Sequence, residues 1–289
     1  MSATEAPRDG AAFCADLVRT HDFVRYASTL FLPGPERRAL LAIYAFNIEV
    51  SRVHEQVSQP LPGEMRLQWW TDMLAGAGHG GVEGNPVAAE LLYAIRNHRL
   101  PVSPFSQLVE EHQFDLYNDP MPTMAALDGY LGDTRGALFA LAARIVVGAV
   151  ADIDHLVHHA GLAQGILHLI ASLPRDAARR QLFIPLDLLA RHGLGQEQVF
   201  AAKATPVIRA MLAELRGQAR QHLDHTLELA REAPGGVRPA LLPLALVSRD
   251  LVRAERRIDA DPFQPQLRSR LATLWTLWRA ARSPAFRER

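Results

Sequence analysis

Cysteine and lysine are nearly missing from this 289-residue chain. Cys14 is the only cysteine, which excludes an internal disulfide and any zinc or iron–sulfur site built from several cysteines. Lys203 is the only lysine, and we interpret the arginine excess as the codon bias of a GC-rich bacterial genome rather than a functional requirement. A lone cysteine fits a reducing compartment, so we expect a cytoplasmic location.

Net charge and long apolar runs are also absent. The 31 Lys and Arg residues balance the 31 Asp and Glu residues, so no overall field attracts nucleic acid and we expect no nucleic-acid partner. The longest apolar stretch, 137–151, is interrupted by Arg144 and is shorter than the roughly 20 residues of a membrane span. We therefore expect no transmembrane segment. The N-terminal residues are acidic in part and not strongly apolar, which predicts neither a secretory signal nor a transit peptide.

Apolar residues recur at helical spacing along nearly the whole chain, and strict two-residue alternation is missing. The pattern predicts an all-α protein. None of the Gly- and Pro-rich breaks is long enough for a linker, so we expect a single domain over 1–289. The predicted helices cover 11–20, 23–30, 35–58, 64–76, 86–97, 104–116, 123–148, 152–173, 187–192, 196–201, 205–232, 237–258 and 265–282, with Pro60 and Pro62 closing the third.

Three parts of the chain carry a family resemblance: the stretches 30–46 and 160–185, and between them Trp70, Asn85-Pro86 and the stretch 130–148. Residues 30–46 read Leu-Phe-Leu-Pro-Gly-Pro-Glu-Arg-Arg-Ala-Leu-Leu-Ala-Ile-Tyr-Ala-Phe, and residues 160–185 run from Ala-Gly-Leu-Ala-Gln to Leu-Phe-Ile-Pro. Both resemble signatures of the squalene/phytoene synthases. The strings at 45–50, 163–166 and 182–187 are similar to the branch of that family named for a mitochondrial complex I assembly factor. The resemblance implies an isoprenoid-synthase-type helical bundle around a central cavity.

Catalytic members of that family hold Mg²⁺ and a prenyl diphosphate with two aspartate motifs, Asp-Asp-x-x-Asp and Asp-x-x-x-Asp. The corresponding stretches here read Ser51-Arg52-Val53-His54-Glu55 and Ser172-Leu173-Pro174-Arg175-Asp176. Only two acidic residues, Glu55 and Asp176, remain as candidate Mg²⁺ ligands, and arginines stand beside them. We therefore expect no cofactor, and Mg²⁺ only if the chain is an active synthase.

The resemblance also marks candidate residues for a cavity or ligand site. They are His21, Tyr44, Ser51, Arg52, Glu55, His168, Ser172, Asp176 and Arg179. Arg52 has two interpretations, because it could contact a phosphate directly or form an ion pair with Glu49 or Glu55. The basic cluster of Arg175, Arg179 and Arg180 could bind a phosphate, a lipid headgroup or an acidic partner, or lie in a solvated loop.

Two further features have a functional and a structural interpretation. His155 and His159 are spaced as one face of a helix, with His158 and His168 nearby, which is compatible with a metal site or with a surface or capping role at the start of the helix. No acidic residue completes a metalloprotease pattern, so we assign no metal. The last predicted helix places Leu267, Leu271, Leu274, Trp275 and Trp278 on one face, with arginines elsewhere. That face could close the core or lie on a membrane surface.

Together these features favour a non-catalytic protein that acts by binding. The partner would be a protein of a membrane respiratory complex, complex I in particular, or an isoprenoid or lipid held in the inherited cavity. The alternative is an active prenyltransferase that condenses two prenyl diphosphates, such as farnesyl or geranylgeranyl diphosphate. A peripheral association with the inner membrane is compatible with both hypotheses.

Overall fold

The computed structural model describes residues 10–77, 84–148, 153–257, 260–265 and 268–283. Within these ranges the chain is helical and forms no strand, which confirms the predicted all-α class. The chain divides into two compact units, the first made of 1–117 and 141–150 and the second of 118–140 and 151–289. The single domain expected over 1–289 stays a prediction.

The first unit is built mainly from helices that precede residue 117. Its elements are α1 (Gly10–His21), α2 (Phe23–Thr29), α3 (Gly34–Ser51), α4 (Val53–Gln56), α5 (Pro60–Leu74), α6 (Pro86–His98), α7 (Ser103–Glu111) and a 3-10 turn (Phe114–Leu116). Helix α3 is the centre of the unit, packing against α1 and α6. Its fully buried Phe46 contacts Trp70 of α5 and Phe105 of α7, with ring centroids 5.0 and 5.7 Å away.

The second unit is organised around two long helices. Its elements are α8 (Met124–Leu131), a π-helical turn (Gly132–Gly136), the start of α9 (Ala137–Val147), α10 (Asp154–Ala178), α11 (Leu186–Arg191), α12 (Gln196–Phe200), α13 (Pro206–Glu232), a 3-10 helix (Gly235–Leu241), α14 (Leu244–Arg256) and α15 (Arg270–Ala281). Helices α10 and α13 pack along each other and bury Leu162, Ile166, Met211 and Leu215. Burial of such side chains is the main source of stability here.

Helix α10 is the one described helix that has the length and apolarity to cross a membrane. Its most apolar window has a mean hydropathy of 1.3, and 61% of that window is buried within the protein. A helix that is apolar on most sides and covered by α13, α14 and the π-helical turn has the character of a core helix.

Several predicted helix boundaries are wrong. The predicted helices 104–116 and 237–258 each consist of an α-helix and a 3-10 segment, and the predicted helix 123–148 is interrupted by the π-helical turn. Three further errors involve a proline or an arginine. The predicted helix 35–58 is broken at Arg52, whose backbone leaves the helical region (φ −99°, ψ 2°). Pro60 begins α5 instead of closing the preceding helix, because proline is equally suited to the first turn of a helix. Helix α10 continues five residues past the predicted end at 173, through Pro174 to Ala178, because Asp176 and Ala177 are buried beyond the proline.

The core-closing interpretation of the last helix is wrong for its largest side chains. Leu271, Trp275 and Trp278 are 79%, 59% and 41% exposed, whereas the small buried face of α15 consists of Thr273 and Leu277. The helix therefore packs on α14 through a different stripe from the one predicted. Leu267, the first member of the predicted stripe, lies outside the described residues.

Candidate functional site

The remnant of the first aspartate motif lies at the end of α3 in the first unit. Ser51 is the last residue of α3, and Glu55 belongs to the short helix α4 beyond the break at Arg52. The Arg52 Nε donates to Glu55 Oε2 at 3.0 Å, and its Nη1 lies 3.1 Å from both ring nitrogens of His21 at the end of α1. The structure thus brings together three of the candidates, and Arg52 takes the ion-pair alternative with Glu55 as its partner.

Tyr44 lies deeper in the first unit, two turns before Ser51. Its side chain is 4% exposed and is covered by the guanidinium of Arg25, 5.4 Å from the ring centroid. Burial raises the pKa of Tyr44 to about 12, and the nearby Arg25 offsets only part of that increase. The hydroxyl is therefore neutral at physiological pH, and Tyr44 acts as a packing residue under the Arg25–Asp22 ion pair.

The remnant of the second aspartate motif lies on α10 in the second unit. Asp176 is 5% exposed, and both of its carboxylate oxygens have partners. Ser172 Oγ donates to Oδ2 at 2.7 Å, and Arg175 Nε donates to Oδ1 at 3.0 Å. Ser172 takes the place of an aspartate of the resembling motif, so the helix turn that would hold two carboxylates here holds one carboxylate and its hydrogen-bond donor.

The other candidates of the second unit are more exposed. His168 lies one turn before Ser172 on the same face of α10, and Arg179 caps the end of that helix. Arg180 forms an ion pair with Glu197 and stacks on Phe200 at 4.7 Å. The basic cluster is thus partly helical and partly bound to α12, and the solvated-loop interpretation is wrong for Arg175, which lies within α10.

A glycine near the second motif reveals how the adjacent space is filled. Gly165 lies two turns before Ser172 on α10, and the family resemblance implies a glutamine at this position in the synthases. A Cβ atom at this position would lie 2.5 Å from Cδ2 of Leu131, the buried last residue of α8. The volume into which a glutamine side chain would extend is therefore occupied by a leucine. Sequence reasoning placed Leu131 in a stretch that resembles the family but did not predict its contact with Gly165.

The acidic residues do not fit a magnesium site. Mg²⁺ requires several oxygen ligands in a near-octahedral arrangement, usually with free carboxylates. Glu55 is paired with Arg52, and Asp176 is engaged by Ser172 and Arg175. Among the described residues no group of three or more His, Cys, Asp and Glu side chains is arranged to hold a metal ion. A positive charge beside each acid disfavours a dication at either motif.

His159 of α10 contacts histidines of the neighbouring helix α13, and its ring centroid also lies 5.7 Å from that of His158. His159 Nδ1 lies 2.8 Å from His222 Nδ1 of α13, and its ring stacks near His225. Desolvation lowers the pKa of both His159 and His222 below the ordinary value, and the neighbouring histidines lower it further. The neutral rings are favoured in the folded state. His155 lies exposed near the start of α10 and has no described contact with this group.

The arrangement defines a class of protein, a helical synthase-type fold whose metal-binding motifs are occupied by ion pairs. The squalene/phytoene synthase family model matches residues 18–278, and the chain belongs to this family. A squalene synthase from Alicyclobacillus acidocaldarius superimposes with a TM-score of 0.73 at 20% identity, covering 86% of this chain and 94% of that one, which shows the fold.

The relatives of this chain include both an assembly factor and a synthase. Assembly factor 6 of NADH dehydrogenase (ubiquinone) complex I from Mus musculus is 29% identical over 258 residues, covering 89% of this chain and 77% of that protein. Phytoene synthase from Thermus thermophilus is 26% identical over 209 residues, covering 71% of this chain and 69% of that protein. The match to the assembly factor is thus both longer and higher in identity than the match to the synthase.

Proposed function

We propose that this chain promotes the assembly of a membrane NADH dehydrogenase and does not catalyse prenyl transfer. The observation that carries the proposal is the state of the two remaining acids, each of which is already bound by a guanidinium of its own unit. Similarity to complex I assembly factor 6 supports the same function. The partner is then a protein of the respiratory complex, and no cofactor is needed.

The isoprenoid or lipid ligand is the second candidate, and the family fold supports it. A protein that binds an isoprenoid without converting it needs an apolar cavity but no metal. The side chain of Leu131 beside Gly165 fills part of the space next to the second motif. This contact favours the protein partner over a ligand held at the second motif.

Deletion of the gene should lower the NADH dehydrogenase activity of isolated membranes without changing isoprenoid products. Plasmid-borne wild-type protein and the Glu55→Gln variant should restore the activity equally, because Glu55 forms an ion pair and does not bind a metal.

The purified protein should release no diphosphate from farnesyl or geranylgeranyl diphosphate with Mg²⁺ or Mn²⁺. Turnover that the Glu55→Gln variant loses would favour the active prenyltransferase instead.

We further propose that the protein is cytoplasmic and lies against the inner membrane through α15. The exposed Leu271, Trp275 and Trp278 form an apolar stripe, and the two indole rings stack at 4.9 Å. Arg282 lies 3.8 Å from the Trp278 ring centroid, and Arg270 and Arg279 are exposed on the same short helix. Tryptophan with flanking arginines is the composition of a helix that lies in the interface of an anionic membrane.

The Leu271→Ser/Trp275→Ser double variant should bind anionic phospholipid vesicles roughly tenfold or more weakly than the wild type, because each side chain loses its burial in the acyl region. Vesicle co-sedimentation measures the binding. The control is Leu61→Ser/Met65→Ser on α5, whose side chains are 66% and 68% exposed but lie beside the acidic Glu64 and Asp72. Equal losses in the two double variants would contradict a docking role for α15.

A further inference from the structure

The second unit contains a cavity of about 110 Å³ that is rich in arginine. Helix α10 supplies its apolar wall, including Leu167 and Ile170, and Leu212 of α13 adds to it. Five arginines line the rest: Arg209 and Arg216 from α13, Arg253 and Arg257 from the end of α14, and Arg268 before α15. Asp250 is the one carboxylate among the lining residues in the described part of the chain.

The cavity lies away from the second aspartate motif. At about 100° of rotation per residue, Leu167 and Ile170 project roughly 140° and 200° from Ser172 around the axis of α10. Ser172 and Asp176 therefore face in a different direction from the cavity wall. The cavity is a separate feature of the fold, and the degenerate motif does not account for its charges.

The carboxylates of the described residues do not balance the arginines of the cavity. Asp250 binds Arg249 at 3.0 Å through Oδ1 and lies 2.7 Å from Arg268 through Oδ2, so it is already shared between two cations. Glu255 faces Arg216 but is paired with Arg220 at 2.8 Å. In the described part of the chain Arg216 and Arg253 form no ion pair and no side-chain hydrogen bond. The cavity therefore has an excess of cationic donors.

Among these arginines, Arg216 gives the clearest indication of a bound anion. Its guanidinium is half-buried, and desolvation lowers its pKa from the ordinary value, whereas the negative charge of Glu255 offsets only part of that decrease. A charge withdrawn from water without a counter-ion is destabilising, and folded proteins normally pair it. An arrangement that breaks this rule at a concave site is typical of a binding site, where the ligand provides the missing charge.

We propose that this arginine cavity binds a phosphate group, carried either by a soluble phosphorylated compound or by the headgroup of an anionic lipid. Guanidinium groups converge on the cavity from α13, from α14 and from the segment before α15, and a phosphate offers oxygens in several directions, whereas a carboxylate offers only two in one plane. The volume fits a phosphate-sized group and is below the range of cavities that enclose a whole drug-sized ligand. The apolar wall contacts the carbon atoms next to the phosphate.

The test is calorimetric titration of the full chain with inorganic phosphate and with pyrophosphate at low ionic strength. Arg216→Gln should weaken binding about tenfold or more, because a charge-assisted hydrogen bond in a half-buried site is lost. Arg231→Gln, which removes the same charge from the exposed end of α13, should bind as the wild type does. In phosphate-free buffer Arg216→Gln should melt at the same temperature as the wild type or higher, since it removes an unpaired charge.

Arg253→Gln provides the same test at an exposed position of α14, where folding is not in question. Flotation with phosphatidylcholine vesicles, with and without phosphatidic acid, identifies the source of the phosphate. Binding to phosphatidic acid that Arg216→Gln weakens assigns a lipid headgroup, and binding of free phosphate alone assigns a soluble compound. The proposal is overturned if the wild type binds none of these anions, or if Arg216→Gln, Arg253→Gln and Arg231→Gln all bind alike.

Discussion

Gly161→Ala should destabilise the protein by about 3 kcal/mol or more, measured as the free energy of unfolding in urea. A Cβ atom at position 161 would lie 2.4 Å from the backbone nitrogen of Gly136 and 2.6 Å from its Cα. These are backbone atoms of the π-helical turn Gly132–Gly136, which cannot rotate away as a side chain can. Relief of the clash would have to separate α10 from the turn across their whole contact.

Gly217→Ala is the matched control for this substitution. Gly217 lies within α13, and nothing lies within 4 Å of the position that its Cβ would occupy. The same chemical change should there raise the free energy of unfolding by about 0.5–1 kcal/mol, since alanine is the better helix former. If both variants lose stability to a similar extent, close packing of Gly161 on Gly136 is not what holds α10 in place.

Helical periodicity was sufficient to predict most of the elements. The predicted helices 86–97 and 205–232 match α6 and α13 within one residue at each end, because an asparagine or threonine cap followed by proline marks each start. Periodicity could not show which apolar face of the last helix would be covered. A stripe such as Leu271 and Trp275 is defined by its sequence, whereas its burial depends on the shape of α14.

Some features of the candidate site can be predicted from the local sequence, whereas others depend on contacts between residues far apart in the chain. The sequence itself shows serine instead of an acid at positions 51 and 172 and arginine at position 52. These substitutions were sufficient to predict a weak metal site. The contact between Leu131 and Gly165 joins residues 34 positions apart and has no sequence signal. The arginine cavity also depends on long-range contacts. Arg209 and Arg216 share one face of α13 because they are two turns apart, but only the packing of α13 against α14 brings them near Arg253.

Phe46→Ala should lower the free energy of unfolding by about 3–5 kcal/mol, the usual effect of removing a fully buried phenyl ring. Phe46 is the last residue of the Tyr-Ala-Phe string of α3, and it packs edge-on against Trp70 and Phe105. The cavity left behind would be surrounded by three different helices, none of which can collapse into it without leaving its other contacts. Tryptophan fluorescence during urea unfolding reports the change directly, because Trp70 is one of the contacts.

Arg52→Gln, six residues further along in the remnant of the first aspartate motif, should change stability by less than about 1 kcal/mol, because its ion pair with Glu55 is partly exposed and screened by solvent. A large loss of stability in Arg52→Gln, or a small one in Phe46→Ala, would contradict these different roles of the apolar and polar side chains. Apolar side chains of the Tyr-Ala-Phe string determine whether α3 folds against α5 and α7. The polar side chains of the following aspartate-motif remnant add little to the free energy of unfolding. A chain can therefore replace the aspartates with serine and arginine and still keep the fold of a synthase.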